Sequence, residues 1–240
     1  MGIKNLYQEV TTSNSEQKRL WKAAIKWPLY SVAVMPVFLA AGWNQAIGKA
    51  VRWEQLIGFL IASIFLLIWE NLTNDLFDSD TGVDKFKLHS VVNLIGKRQI
   101  VRQLAYLALS IGFGLIFVLS LRSNSSVFFL VIGSCLLGYI YQGPPFRLGY
   151  KGLGEPLCWL AFGPLGTSAA LLAISPVNHY TNSIPWLTAT LIGAGPALAT
   201  TLVLFCSHFH QVDQDSAYGK QTALVRLGTN RAASLIPWFV

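Results

Sequence analysis

Charge is what this chain has least of. Only 12% of its 240 residues are Asp, Glu, Lys or Arg, about half the share usual in a soluble domain. With 53% hydrophobic residues and a mean hydropathy of +0.48, an ordinary water-facing fold is excluded. Paired cysteines are missing as well. Cys135, Cys158 and Cys206 all sit in apolar segments without paired spacing, so reduced structural thiols are expected and not a disulfide framework. The N-terminus is polar through Lys18 and Arg19 and lacks the early apolar core of a secretory signal peptide. The net charge of +7 is not gathered into one patch. It is spread over loops between apolar runs, which argues for membrane topology and lipid contact and against nucleic acid.

Apolar runs of the length needed to cross a bilayer recur along the chain. They predict an all-α, polytopic membrane bundle. Spans are expected over about 25–47, 56–72, 104–121, 127–141, 157–174 and 186–205, with a seventh starting near Arg231 and unfinished at Val240. A polar arm covers 1–20, with a surface helix around 15–22, and the transmembrane domain occupies 21–240. Pro28 and Pro36 are expected to kink the first span, and Gly143-Pro144-Pro145 to end the fourth. Fifteen of the 18 Lys and Arg residues then fall on one side, leaving only Lys49, Arg52 and Arg122 opposite. The positive-inside rule places the N-terminus on the cytoplasmic face.

What charge remains is concentrated behind two of these spans. The first motif runs from Asn71 to Asp84 and carries Asn71, Asn74, Asp75, Asp78, Asp80 and Asp84; the second runs from His208 to Lys220 and carries Gln211, Asp213 and Asp215. Both lie on the cytoplasmic side of the expected topology. Setting Asp78 against Asp215 pairs Gly82 with Gly219, Asn71 with His208 and Asn74 with Gln211, an internal repeat offset by 137 residues. Carboxylates at a membrane face are costly to keep and usually functional. A helix continued through the first motif stacks Asn71, Asp75 and Asp78 on one face at i, i+4, i+7. Hard oxygen donors so placed suit Mg²⁺ shared with substrate phosphates. Asp75, Asp78 and Asp215 are the expected catalytic carboxylates, and Asp84 and Asp213 join them as candidate ligands. His208 and Lys220 flank the second motif as candidate substrate contacts.

A third constellation is the loop Tyr139 to Glu155, dense in Gly, Pro and aromatic residues. Tyr139, Tyr141, Arg147 and Lys151 there could meet an anionic substrate; an interfacial aromatic belt with cytoplasmic basic charge explains them equally.

At these residues the chain resembles the UbiA superfamily of intramembrane aromatic prenyltransferases. Asn71-x3-Asp75-x2-Asp78 with Gly82-Val83-Asp84 is similar to its first Asp-rich motif. Tyr141-Gln142-Gly143-Pro144-Pro145-Phe146 with Gly152-Leu153-Gly154-Glu155 resembles the loop of the 1,4-dihydroxy-2-naphthoate branch. His208-Phe209-His210-Gln211 through Asp215 and Gly219-Lys220 resembles the second motif in cyanobacterial and plastid members, as does Trp21-Lys22-Ala23-Ala24-Ile25-Lys26 at the first span. The resemblance implies attachment of a phytyl or related prenyl chain to 1,4-dihydroxy-2-naphthoate, with loss of CO₂, in phylloquinone or menaquinone biosynthesis. It implies Mg²⁺ as cofactor, a prenyl diphosphate and an aromatic acid as substrates, and Lys26 among the substrate contacts. The implied location is the plasma or thylakoid membrane of a cyanobacterium-like cell, with the active site facing the cytoplasm. Two departures stand out. Gln211 and His208 replace an Asp and an Asn common in the second motif, which shifts weight to Asp213 and Asp215. The family usually has nine spans, so either the last two helices are expected to be missing here or the protein is a reduced variant.

Competing readings remain at this level. A sister enzyme acting on homogentisate, 4-hydroxybenzoate or chlorophyllide shares the acidic motifs. A CDP-alcohol phosphatidyltransferase is disfavoured because Ser79, not Gly, follows Asp75-x2-Asp78. A transporter would hold its carboxylates nearer mid-membrane and often within broken helices.

Overall fold

A computed structural model describes residues 14–239, apart from 86, 178, 181 and 182. The arm expected over 1–20 therefore lies, for 1–13, outside the described residues. The elements are α1 (Asn14–Ile25), α2 (Tyr30–Ala46), α3 (Trp53–Thr81), α4 (Val91–Ile95), α5 (Arg98–Leu121), α6 (Ser126–Gln142), α7 (Gly154–Leu160), α8 (Gly166–Ile174), α9 (Trp186–Ser207), α10 (Val212–Ala217), α11 (Ala223–Leu227) and α12 (Thr229–Leu235). No strand occurs among the described residues.

Among the described residues, five helical runs are long and apolar enough to cross a membrane, and α6 is a shorter apolar helix. The chain is an integral membrane protein. Its lipid-facing character shows in exposed Phe38, Ile57, Leu107, Leu121, Phe129, Leu187 and Leu191, residues that a water-soluble surface would not carry in such number. Where a seventh span is expected from Arg231, the described residues form α12 and a 3-10 turn, Ile236–Phe239, which are not among the five.

Helix breaks fall where backbone chemistry requires them. The first run is interrupted at Lys26, which has φ +52°, and a 3-10 turn, Trp27–Leu29, follows. Pro28 in that turn lacks an amide donor and restricts Trp27 before it. Pro36, expected to kink the span, lies inside α2 and the helix runs on past it. α7 and α8 form one run joined by a π-helical segment, Ala161–Leu165, which contains Pro164; such bulges accommodate a lost backbone donor. α6 ends at Gln142 before Gly143-Pro144-Pro145, as expected.

Packing uses small residues at close helix approaches, as membrane bundles do. Antiparallel α3 and α5 meet at Gly112 and Gly58, where an added Cβ would lie 2.7 Å from Leu66 Cδ2 and 2.9 Å from Leu119 Cδ2. One apolar core, including Val37, Phe59, Ile116, Leu130 and Leu171, fills the bundle away from the acidic motifs. A second, around Trp69, Leu76, Val101 and Ala105, anchors α3 to α5.

Candidate active site

The second expected span does not end at 72; α3 continues to Thr81 through most of the first motif, leaving Gly82, Val83 and Asp84 beyond its end. Asn71, Asp75 and Asp78 thus share one helical face, and Gly82 caps the helix with φ +80°, a left-handed conformation that suits glycine. The second motif is built differently. α9 stops at Ser207, a 3-10 turn covers His208–His210, and α10 then delivers Asp215 before Gly219, with φ +73°. Gln214 Nε2 donates to Val83 O, Tyr218 packs over Gly82, and Gln221 N donates to Tyr150 O at 2.9 Å. The two motifs dock directly.

At their junction lie four buried carboxylates and three ammonium groups. Asp75 Oδ2 accepts from Val91 N at 2.8 Å, and its Oδ1 faces Lys26 Nζ at 3.6 Å and Lys87 Nζ at 4.0 Å. Asp78 Oδ1 accepts from the Tyr150 hydroxyl at 2.7 Å, and Tyr150 is also 2.7 Å from Thr81 Oγ1. Lys220 Nζ stands between Asp78 Oδ2, at 3.6 Å, and Asp215 Oδ1, at 3.7 Å. Asp84 binds Lys87 through both oxygens, at 3.2 and 3.0 Å. With every group ionised, four carboxylates against three lysines leave an excess negative charge.

Asp215 is fully buried, and among the described residues neither of its carboxylate oxygens has a hydrogen-bond partner. Burying an ion costs several kcal/mol. Attraction to Lys220 at about 4 Å returns roughly 4 kcal/mol in a medium of effective dielectric about 20, but that lysine is shared with Asp78. Burial accordingly pushes the Asp215 carboxyl above its ordinary value, against the pull of Lys220 and His208. Burial also raises Asp84, opposed by Lys87. For Lys87, burial acts downward, but Asp84 and Asp75 outweigh it and hold the ammonium above its usual value. His89 is lowered by burial and by Lys87 and Lys26. Tyr150 is raised by burial and by Asp78.

These groups form one end of a cavity of about 340 Å³. Lys26, Asn71, Asn74, Asp75, Asp78, Lys87, His89, Tyr141, His208, Gln211 and Lys220 line its polar end; Phe59, Leu66, Leu67, Val131, Leu137 and Phe162 line the apolar remainder. Both members of each repeat pair, Asn71 with His208 and Asn74 with Gln211, reach this lining. Asp215 reaches it through Lys220, and Asp84 through Lys87.

The structure does not bring every expected residue there. Asp213 is exposed, because two residues of helix turn it away from the face of Asp215. Lys151 is exposed and lies off the lining. Arg147 packs over the Tyr150 ring at 5.7 Å, and the Tyr139 hydroxyl donates to Pro144 O at 2.9 Å, so both brace the loop. Asp80 pairs with Arg98 on the surface. Among the described residues, no three His, Cys, Asp or Glu side chains converge closely enough to grip one ion between themselves.

Sequence reasoning gives no site role to Glu70, Lys87, His89 and Tyr150, and marks Gln142 and Glu155 only as part of the resembling loop. Glu70, a lone charge deep in an apolar run just before Asn71, was detectable. Lys87 was read only as a topology charge, and nothing local marks Tyr150 as the partner of Asp78.

Residues 33–240 match the model of the UbiA prenyltransferase family. The chain belongs to that family. It is 41% identical over 239 residues to a protein of Arabidopsis thaliana named 2-carboxy-1,4-naphthoquinone phytyltransferase, chloroplastic, covering 98% of this chain and 61% of that one. A Synechocystis protein named 2-carboxy-1,4-naphthoquinone phytyltransferase is 43% identical over 223 residues, covering 91% and 69%. A Mycobacterium tuberculosis protein named 1,4-dihydroxy-2-naphthoate octaprenyltransferase is 28% identical, covering 85% and 68%. This member of the UbiA family thus spans about three fifths of the first relative's length. No solved structure matches it.

Proposed function

We propose that the chain carries the site of a prenyltransferase that attaches a phytyl or related prenyl group to 1,4-dihydroxy-2-naphthoate, with loss of CO₂. The product would enter phylloquinone or menaquinone biosynthesis. One observation carries this reading: buried carboxylates and lysines from two distant motifs meet at the mouth of an apolar cavity. The names of the relatives support the same donor and acceptor classes. The membrane is the plasma or thylakoid membrane, and the acidic end faces the cytoplasm, where the basic loops lie.

Asp75, Asp78 and Asp215 are the groups that would hold Mg²⁺. The donor set fits: hard oxygens, an excess negative charge, and two unpartnered buried oxygens on Asp215. Gaps in the protein shell leave room for the waters and phosphate oxygens that Mg²⁺ keeps. Bound there, the ion would neutralise charge on the diphosphate leaving group. Lys26, Lys87 and Lys220 lie 3.6–4.0 Å from these carboxylates, too far for strong hydrogen bonds, so each retains donors for phosphate oxygens. Asp84 keeps Lys87 charged and aimed; Asp213 stays outside the ligand set. Asn71, Asn74 and Gln211 contribute neutral polar contacts. The apolar wall takes the prenyl chain and excludes water. Trp69, Tyr141 and Phe162 in the lining offer π faces to the allylic cation formed as the C–O bond breaks.

The test is a membrane assay with phytyl diphosphate, 1,4-dihydroxy-2-naphthoate and Mg²⁺, with and without EDTA. Lipid-soluble prenylated naphthoquinol, detected as the quinone to which air oxidises it, is expected to form and to disappear with EDTA. Product formed equally in EDTA would remove the metal role, and transfer to homogentisate alone would change the acceptor.

A further inference from the structure

Besides the two oxygens of Asp215, four buried polar atoms near the cavity's polar end have no hydrogen-bond partner among the described residues: Asn71 Nδ2, Gln142 Oε1, His208 Nδ1 and Glu155 Oε1. The first three belong to lining residues, and Gln142 and His208 are only 3% and 4% exposed. Buried polar groups are rarely left unpaired. A set of unmatched donors and acceptors around one cavity is what a bound polar molecule would complete.

Two of the four face each other. His208 Nδ1 lies 3.6 Å from Glu155 Oε1. The pair joins distant parts of the chain. His208 opens the 3-10 turn where α9 ends, and Glu155 sits in the first turn of α7. The α7 start is fixed by close packing, since a Cβ on Gly154 or Gly149 would lie 2.7 or 2.6 Å from the Tyr141 ring. Glu155 is absent from the lining while His208 is part of it. A carboxylate facing an imidazole has the wrong charge for diphosphate, but it is the arrangement that fixes a tautomer and supports a transient imidazolium. The nearby cation, Lys220, is already engaged by Asp78 and Asp215.

We propose that Glu155 and His208 form a proton-relay pair for the aromatic acceptor, with Gln142 as a further contact to the acceptor's oxygens; this rests on the prenyltransferase reading above. Once the 3.6 Å gap closes, Glu155 accepts from Nδ1–H, which leaves Nε2 as the base. The O–H bond of a ring hydroxyl breaks and its proton moves to His208. The oxygen's electron pair feeds the ring, whose carbon bonds to C1 of the prenyl group as the C1–O bond breaks and its pair leaves on diphosphate. The bond from ring to carboxylate then breaks, CO₂ departs, its electron pair restores the aromatic ring, and the oxygen recovers its proton from His208. The pair is unchanged over the cycle and no oxidant is required. His208 is thereby a catalytic residue and Glu155 a positioning residue.

The experiment separates two half-reactions in the full 240-residue chain. Diphosphate release from prenyl diphosphate is measured without acceptor, transfer is measured with it, and binding of 1-hydroxy-2-naphthoate is followed by its fluorescence. Glu155→Gln is expected to lower transfer about 100-fold, the size of a lost proton-transfer contribution, while diphosphate release changes less than threefold. Glu155→Asp should recover part of the loss, which a merely structural role would not predict. His208→Asn and Gln142→Leu should weaken 1-hydroxy-2-naphthoate binding about tenfold. Full transfer in Glu155→Gln, a proportional loss of diphosphate release, or unchanged binding in both His208→Asn and Gln142→Leu overturns the pair's role. A wild-type chain that neither binds 1-hydroxy-2-naphthoate nor releases diphosphate overturns the prenyltransferase reading instead.

Discussion

In α3 the helix runs unbroken through Asn71, Asp75 and Asp78 to its glycine cap, whereas α9 stops at Ser207 and Asp215 arrives only after a 3-10 turn and a second short helix. The two motifs share a sequence pattern, Asp-x3-Gly with a left-handed glycine, yet their carboxylates are treated differently. Asp75 and Asp78 each accept a hydrogen bond from a distant part of the chain, Val91 N and Tyr150 OH. Asp215 accepts none. The first motif is organised by the protein itself; the second presents a buried charge that a cation would complete. A repeat in sequence therefore does not imply equal roles, because the surrounding elements decide which oxygens remain free.

The largest expected effect comes from removing a carboxylate on the organised side. Asp78→Asn should lower transfer by about 10³-fold, at the upper end of losses for a single electrostatic group in a dry site. Asp215→Asn should cost about 10²-fold or more. Groups acting on one ion behave as a unit, so the double variant should lose little beyond Asp78→Asn alone. Measured turnover of the three variants in membranes tests this. Independent, multiplicative losses would show that the motifs do not share a ligand.

Lys220 comes next, since it stands between the motifs. Lys220→Gln should raise the KM for prenyl diphosphate about tenfold, the size of one charge-assisted hydrogen bond. It also leaves Asp78 and Asp215 facing each other without a counter-ion. The metal-free variant should therefore melt below the wild type, and added Mg²⁺ should raise its Tm by more than it raises that of the wild type. Equal cation-induced shifts in both proteins would argue against the bridging role.

The pH dependence has a definite sign. Burial raises Asp215 and Asp84 in the folded state, so in the metal-free protein these groups favour the fold at low pH. That contribution fades as pH rises from about 4, the unfolded carboxylate value, towards their raised values. A cation binds the ionised form, so Mg²⁺-induced stabilisation should grow across the same window. Melting curves with and without Mg²⁺ at several pH values check this; a stabilisation that shrinks with rising pH would place the ion elsewhere.

The fold was legible because its main signal is length. Apolar runs located six helical segments to within a few residues at most ends, five of them long enough to cross a membrane among the described residues where seven spans are expected, and the i, i+4, i+7 spacing placed Asn71, Asp75 and Asp78 on one face. The misjudged features depend on register or on distant partners. The second span was ended too early because Asp and Asn read as turn residues, although α3 continues through them for two more turns. Lys87 and Tyr150 were invisible for a different reason. Their roles come from contacts made after folding; Tyr150 and Asp78 are 72 residues apart.

The smallest expected effect is also the sharpest comparison, because it lies within one motif. Asp213 and Asp215 are separated by a single residue, and the sequence prefers Asp215 only through its match to Asp78 in the repeat while keeping both as candidate ligands. The start of α10 decides between them by burying Asp215 and exposing Asp213. An exposed carboxylate off the cavity lining has little to contribute, since surface charges interact weakly through water. Asp213→Asn should therefore change transfer less than twofold and leave Mg²⁺-induced stabilisation intact, while Asp215→Asn loses both. Comparable losses in the two variants would mean that α10 rotates when substrate binds, drawing Asp213 to the phosphates and making the second motif the mobile partner of a fixed first one.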